Sequence, residues 1–216
     1  MTLRCTCPNA PKSLKGITFG EVDCFFQKGE CIKDGTQQSV RLCSIKGETM
    51  VVKRYAYEGF FSALRTRLEM SRPHNSLYYA HYLRQREIPC PTHYLVATKC
   101  GLRSAVAYLV MQRVPGLKFR DYFFSKEPPK LANETVEAAI HTIQSFHKLG
   151  LSHGDLHAQN LIVKEPSKIL LIDLDNVRKA PRRKTKDISR FLDSISGGNQ
   201  NADAIVTKLR NSLSDE

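Results

Sequence analysis

The sequence predicts an α+β fold of two lobes: a strand-rich N-lobe over about 17–112 and a small helical C-lobe over about 116–216, read together as a single domain. Three observations predict it. Short apolar runs broken by turn residues fill the first half. The segment 133–149 has helical periodicity, with Val136, Ile140, Ile143 and Phe146 on one stripe. A short apolar hairpin, 160–163 and 169–172, interrupts the helical half. Strands grouped ahead of helices, rather than alternating with them, argue for α+β.

Taken in order, residues 1–16 read as a loose basic lead-in. From 16 to 55 the pattern is a β-meander. Its apolar stretches at 24–26, 40–43 and 50–52 are separated by turn signals such as Lys33-Asp34-Gly35 and Lys46-Gly47. Helices are expected over 60–70 and 75–86, and Pro89 and Pro91 bar further helix. Two strands follow, at 94–97 and 105–111. In the 133–149 helix, Asn133 is placed to cap the start and Gly150 to sit just past the end. Glu165-Pro166-Ser167 turns the hairpin, and helices near 187–195 and 202–213 complete the pattern.

The chain has 216 residues, 41% of them hydrophobic and 25% charged, which suits a soluble globular protein. No apolar run approaches the ~20 residues that span a bilayer. The first residues lack the apolar core of a secretory signal. These features place the chain in the cytoplasm. A formal charge of +12 favours an anionic partner: nucleic acid, anionic lipid or a phosphorylated substrate. No zinc finger, RNP-type aromatic motif or helix-turn-helix pattern is present, so nucleic acid is not expected. Five of the seven cysteines come early, at Cys5, Cys7, Cys24, Cys31 and Cys43. Cys5-x-Cys7 lacks C-x-x-C spacing and no histidine precedes His74, so free thiols in a reducing compartment are expected rather than zinc.

The chemistry is carried by His153-Gly154-Asp155-Leu156-His157-Ala158-Gln159-Asn160 and, one hairpin later, Ile172-Asp173-Leu174-Asp175. Phosphoryl transfer from ATP needs a carboxylate to orient and deprotonate the acceptor hydroxyl. It also needs oxygen ligands for magnesium and a fixed cation for the phosphate tail. The kinase loop H-R-D-x-x-x-x-N has His153, Asp155 and Asn160 at matching positions, with glycine for the middle arginine. Asp155 is then the base, and Asn160 and Asp173 the Mg2+ ligands. Lys53, in Met50-Val51-Val52-Lys53, matches the strand lysine that clamps phosphate. The 33–39 segment around Gly35 is either a phosphate-covering loop or a plain hairpin turn. The stretch from Met111 to Gly116, with Gln112 and Val114, is either a hinge that would offer its backbone to adenine or simply a strand ending in a Pro-Gly turn.

On these residues the chain resembles the bacterial lipopolysaccharide core kinases, the Kdo and heptose kinase family, within the protein-kinase-like superfamily. The resemblance runs from about residue 33 onward. It rests on Val52-Lys53-Arg54-Tyr55, on Ile88-Pro89-Cys90-Pro91, on the Asp155 and Asp173 motifs, and on Ile188-Ser189-Arg190-Phe191-Leu192-Asp193-Ser194. It implies a protein-kinase-like fold that moves phosphate from ATP to a sugar hydroxyl of the lipid-anchored inner core, at the cytoplasmic face of the inner membrane. The implied partners are ATP and an anionic glycolipid or sugar acceptor, with peripheral membrane contact. His157 occupies the place of a phosphate-contacting lysine.

Several features depart from protein kinases. Asp173-Leu174-Asp175 replaces D-F-G, and no A-P-E follows. The 75–86 helix starts without a glutamate for Lys53, which leaves Glu58 and Glu69 as substitutes. The basic run 178–186 is either a solvated loop or a contact to an anionic acceptor or membrane, and Arg65, Arg67, Arg72, Arg84 and Arg86 would extend it. The alternatives to a glycolipid kinase are a small atypical Ser/Thr protein kinase and a non-catalytic ATP-binding pseudokinase.

Overall fold

A helix appears where the sequence pattern suggested a strand. Thr18 begins α1 (Phe19–Lys28) with a capping box: its hydroxyl accepts from the Glu21 N–H, and the Glu21 carboxylate accepts from the Thr18 N–H at 2.7 Å. Such a cap contributes about 1 kcal/mol. Ile17 and Val22, the positions of a hydrophobic staple, are both buried in one cluster. The 24–26 run therefore turns as helix, with Val22 and Phe26 on its buried side.

This is a computed structural model that describes residues 2–126, 132–197 and 202–214. It bears out the α+β class. The chain divides into two compact units, residues 1–82 with 91–113, and residues 83–90 with 114–216. In the first, an antiparallel sheet has six strands: β1 (Thr2–Thr6), β2 (Glu30–Lys33), β3 (Gln38–Ile45), β4 (Glu48–Glu58), β5 (His93–Cys100) and β6 (Ser104–Gln112). Their order is β1-β5-β6-β4-β3-β2. The expected loose lead-in is thus an edge strand, held by pairing to β5 from Thr2↔Lys99 to Thr6↔Leu95.

The sheet is covered on both faces. Against one, α1 and Leu14 pack on Cys43, Ile45, Met50, Val52, Tyr108 and Val110. The alternate residues, Tyr55, Val96, Ala107, Leu109 and Met111, form the other face with Leu77 of α3 (Arg72–Arg84). Between them in the chain lies α2 (Phe60–Arg67). Cys43 is buried, and burial pushes its thiol up to about 11; Cys90 is pushed up to about 12 for the same reason. Cys24 and Cys31 are exposed free thiols. Cys7 Sγ lies 3.9 Å from His81 Nδ1, while the Cys5 thiol falls outside the described atoms.

The second unit is built on α5 (Asn133–Lys148), which buries Val136, Ala139, Ile140, Ile143 and Phe146. Ala132, not Asn133, holds the cap position; the helix starts one residue earlier than a capping Asn133 requires. Gly150 ends it with φ +71, as expected of a residue just past a helix. Strand β7 (Leu117–Lys118) and the short helix α4 (Asp121–Phe124) precede α5. After it come β8 (Leu151–Ser152), the hairpin β9 (Leu161–Glu165) and β10 (Lys168–Leu171), and β11 (Arg178–Lys179). Here β9 lies between β10 and β7, while β11 pairs with β8. Two helices follow, α6 (Lys184–Asp193) and α7 (Ala202–Ser214). The basic run 178–186 is more ordered than a loop: it forms β11, a 3-10 turn and the first turn of α6.

Candidate active site

The pairing of β8 with β11 delivers the chain to His153, whose side chain is fully buried. Its Nε2 lies 3.0 Å from the Ile172 carbonyl, which can only accept, so Nε2 carries the proton. Burial lowers the His153 pKa and holds the imidazole neutral, against the pull of Asp187, Asp173 and Asp155. The backbone N–H groups of His153 and Gly154 donate to the two oxygens of Asp187 at 2.6 and 3.1 Å. Asp187 is itself buried, and His147 Nε2 stands 3.5 Å from its Oδ2. Burial alone would raise the Asp187 carboxyl. The His147 contact, the donated N–H groups and Ser152 outweigh it and leave the pKa lowered.

These two shifts predict an acid response. His153 in the folded chain gives up its proton below the ordinary value of 6.5, so the unfolded chain binds more protons there. Stability should therefore fall as pH drops below about 6.5, and fall again below 3.8 as Asp187 protonates. His153→Gln keeps a donor toward Ile172 and should flatten the first part of the midpoint-against-pH curve in thermal unfolding. A residual slope is expected from His74, which burial also lowers. An unchanged curve would remove His153 from the response.

Gly154 explains the departure from H-R-D. Its φ is +77, and a Cβ there would sit 2.9 Å from the Asn176 carbonyl oxygen. No arginine fits that position. A guanidinium arrives instead from α6: Arg190 Nη1 donates to the Gly154 carbonyl and stands 3.5 Å from Asp155 Oδ1. Asp155 Oδ2 lies 3.4 Å from His157 Nε2. Both separations are longer than tight hydrogen bonds, and 41% of the Asp155 side chain is exposed, so the carboxylate stays open to an incoming hydroxyl.

Asn160 is fixed from three sides. Its N–H donates to the His157 carbonyl at 2.8 Å, its carbonyl accepts from the Ile172 N–H at 2.9 Å, and Nδ2 donates to the Asp155 carbonyl at 2.9 Å. With Nδ2 committed, Oδ1 is the amide atom left to present. The Ile172 pairing brings Asp173 next to this position. Asp173 adopts φ 61, ψ 56, a left-handed conformation that Asp tolerates better than most residues. Asn160 Oδ1 and the Asp173 carboxylate are hard oxygen donors, the chemistry that suits Mg2+.

The second unit also bears two cavities beside this loop. One of about 570 Å³ is lined by Arg120, Phe124, His157, Gln159 and Arg190. The other, about 540 Å³, is lined by Arg182, Lys186 and Ser189 and shares Arg190 and Asp193 with the first. The second cavity thus adjoins the basic run, and the first, which shares Arg190 and Asp193 with it, reaches His157 and Gln159 of the loop.

The remaining expected site residues divide between the units. Lys53 pairs with Val40 and Leu109 in register and lies on the α3-bearing face of the sheet. Gly35 is in a turn closed on itself: Ser39 Oγ donates to Asp34 Oδ1 at 2.7 Å, and the Gly35 N–H points at the same carboxylate at 3.2 Å. The Ser39 hydrogen bond lowers the Asp34 pKa. Of the two readings of this loop, such geometry favours the hairpin turn. Gln112 spends its N–H on the Thr92 carbonyl, and its Oε1 accepts from the Thr92 N–H and hydroxyl. Val114, in the second unit, makes no backbone hydrogen bond among the described residues. Glu58 ends β4, and Glu69 faces His74.

Sequence reasoning assigned no role to Asp187, Arg190 or Ser194, which hold the loop from α6. Ser194 Oγ accepts the Ala158 N–H at 2.8 Å. Their spacing of three and four residues puts all three on one helix face, and that polar stripe beside buried Ile188 and Phe191 was the available signal.

The model of the Lipopolysaccharide kinase (Kdo/WaaP) family matches residues 31–208. That span holds Lys53, the Asp155 loop, Asp173 and α6. No curated protein matches the chain.

Proposed function

Because the chain belongs to the lipopolysaccharide kinase (Kdo/WaaP) family, a family of phosphotransferases acting on sugar hydroxyls of the lipopolysaccharide core, we propose that it uses ATP and Mg2+ to phosphorylate Kdo or heptose of the inner core, with Asp155 as base. The single observation that carries this is the Asp155 carboxylate itself: half exposed, loosely contacted by Arg190 and His157, on a loop held from below by buried Asp187.

The acceptor hydroxyl hydrogen-bonds to Asp155. Its oxygen attacks the γ-phosphorus, the bond from that phosphorus to the ADP oxygen breaks, and the hydroxyl proton passes to the Asp155 carboxylate. Arg190 and His157 keep Asp155 aimed. Asn160 and Asp173 would hold Mg2+, which would supply positive charge to offset the charge on the phosphates. Lys53 is the phosphate clamp. Val114, with backbone groups unspent within the described residues, is the better of the two hinge residues for adenine, since Gln112 is engaged by Thr92. The Gly35 turn covers phosphate only if its Asp34–Ser39 closure opens.

The cavities lined by Arg120, Phe124 and Gln159 and by Arg182 and Lys186 suit a polar sugar that carries negative charge. No helix among the described residues is long and apolar enough to cross a membrane. On this reading the lipid-borne acceptor is met by peripheral contact at the cytoplasmic membrane face.

The test is transfer of γ-labelled phosphate with magnesium to Kdo-bearing lipid A, to heptosylated core and to a generic protein, offered separately. Label on one glycolipid is expected. Label on protein alone would replace this reading with an atypical protein kinase, and ATP binding without transfer would indicate a pseudokinase.

A further inference from the structure

Helix α2 in the first unit buries only Ala63 and Thr66. Its apolar side chains face outward instead: Phe61 is 79% exposed, Phe60 50% and Leu68 58%. Leu102, at the β5–β6 turn, is 73% exposed and lies beside Phe60 and Leu64 around a shared hollow. A bond of 2.8 Å from the Gly59 N–H to the Arg103 carbonyl ties that turn to the start of α2. The rings of Phe60 and Phe61 are 5.8 Å apart. Two separate chain segments thus present one apolar ridge.

Cations flank the ridge. Arg65, Arg67, Arg72 and Arg103 are exposed, and none is in an ion pair among the described residues. Arg65 and Arg72 line a cavity of about 500 Å³ with Thr36, Gln37, Ser62 and Ser71. Glu58 also lines it, and Glu69 lies nearby in the chain, so the local balance remains cationic.

We propose that this α2 edge docks on an anionic phospholipid bilayer, with Phe61, Leu68 and Leu102 entering the interface and the Arg65–Arg72 cavity taking a lipid phosphate. Apolar side chains ringed by arginine are what such an interface accepts. A second copy of the chain is a poorer occupant, because a two-fold contact would bring the same guanidinia against each other. The basic run 178–186 offers charge without an apolar ridge. The inference deepens the reading of a lipid-borne acceptor and rests on it only in supposing a membrane to dock on.

The chain contains no tryptophan, so Phe61→Trp creates a unique reporter at an exposed position. With vesicles of phosphatidylcholine and phosphatidylglycerol its emission should shift to the blue, and with phosphatidylcholine alone it should not. In sedimentation with the anionic vesicles, Phe61→Ser with Leu102→Ser should weaken binding at least tenfold. Arg65→Gln with Arg72→Gln should weaken it about tenfold or more and reduce its salt dependence. Because these readouts need no turnover, a wrong acceptor assignment leaves them standing. If labelled transfer occurs, the serine variant should lose it on vesicle-embedded acceptor and keep it on a soluble, deacylated one. Emission unmoved by anionic vesicles, wild-type binding by the serine variant, or a dimer that the same variant dissociates would each overturn the proposal.

Discussion

Asp155→Asn should lower kcat by about 10²–10⁴-fold, the usual contribution of a positioned general base, while nucleotide affinity stays near wild type. The substitution keeps the shape and removes the basicity. The new amide would still offer an oxygen to Arg190 or His157, now 3.5 and 3.4 Å from the carboxylate oxygens. The surrounding clamp does not depend on the Asp155 side chain, because the loop is held by backbone N–H groups on Asp187 and by the Gly154 carbonyl on Arg190. A drop in kcat without a change in thermal midpoint is the expected signature, measured by steady-state transfer and by nucleotide titration. Full turnover in the variant would exclude Asp155 as the base.

Asp173 calls for a different choice of variant. Alanine would remove the carboxylate and also place a residue poorly suited to φ 61. Asparagine tolerates that backbone and isolates the loss of charge. Asp173→Asn should weaken magnesium-dependent nucleotide binding by at least about 100-fold, since even residues that merely support a metal ligand are worth 10–100-fold. The readout is nucleotide affinity titrated against magnesium. A titration that matches wild type would withdraw Asp173 as a ligand.

The sequence made most of the elements legible, and the exceptions share a cause. The strands at 94–97 and 105–111, the hairpin around Pro166 and the α5 stripe follow from local periodicity, and each is found. The helix α1 was hidden because Cys24-Phe25-Phe26 looks like a strand until Thr18 and Glu21 are recognised as a capping box. Strand β1 was hidden because its partner, β5, lies about ninety positions on, and no local pattern announces such pairing. The same division holds at the site. Asp155, Asn160 and Asp173 are a motif and could be read directly. Asp187, Arg190 and Ser194 act across the fold, on groups more than thirty positions earlier. Only a helix placed against the loop makes their spacing meaningful.

That dependence on α6 also fixes an order of assembly. During synthesis the segment from His153 to Asn160 emerges well before Asp187, Arg190 and Ser194 exist. The N–H groups of His153, Gly154 and Ala158 have no α6 acceptor at that stage, and the Gly154 carbonyl has no guanidinium. The hairpin of β9 and β10 can close early, because its pairing is local. The loop that bears Asp155 cannot settle until α6 docks. A chain stalled between the two would carry the complete motif and lack the contacts that hold the loop around Asp155.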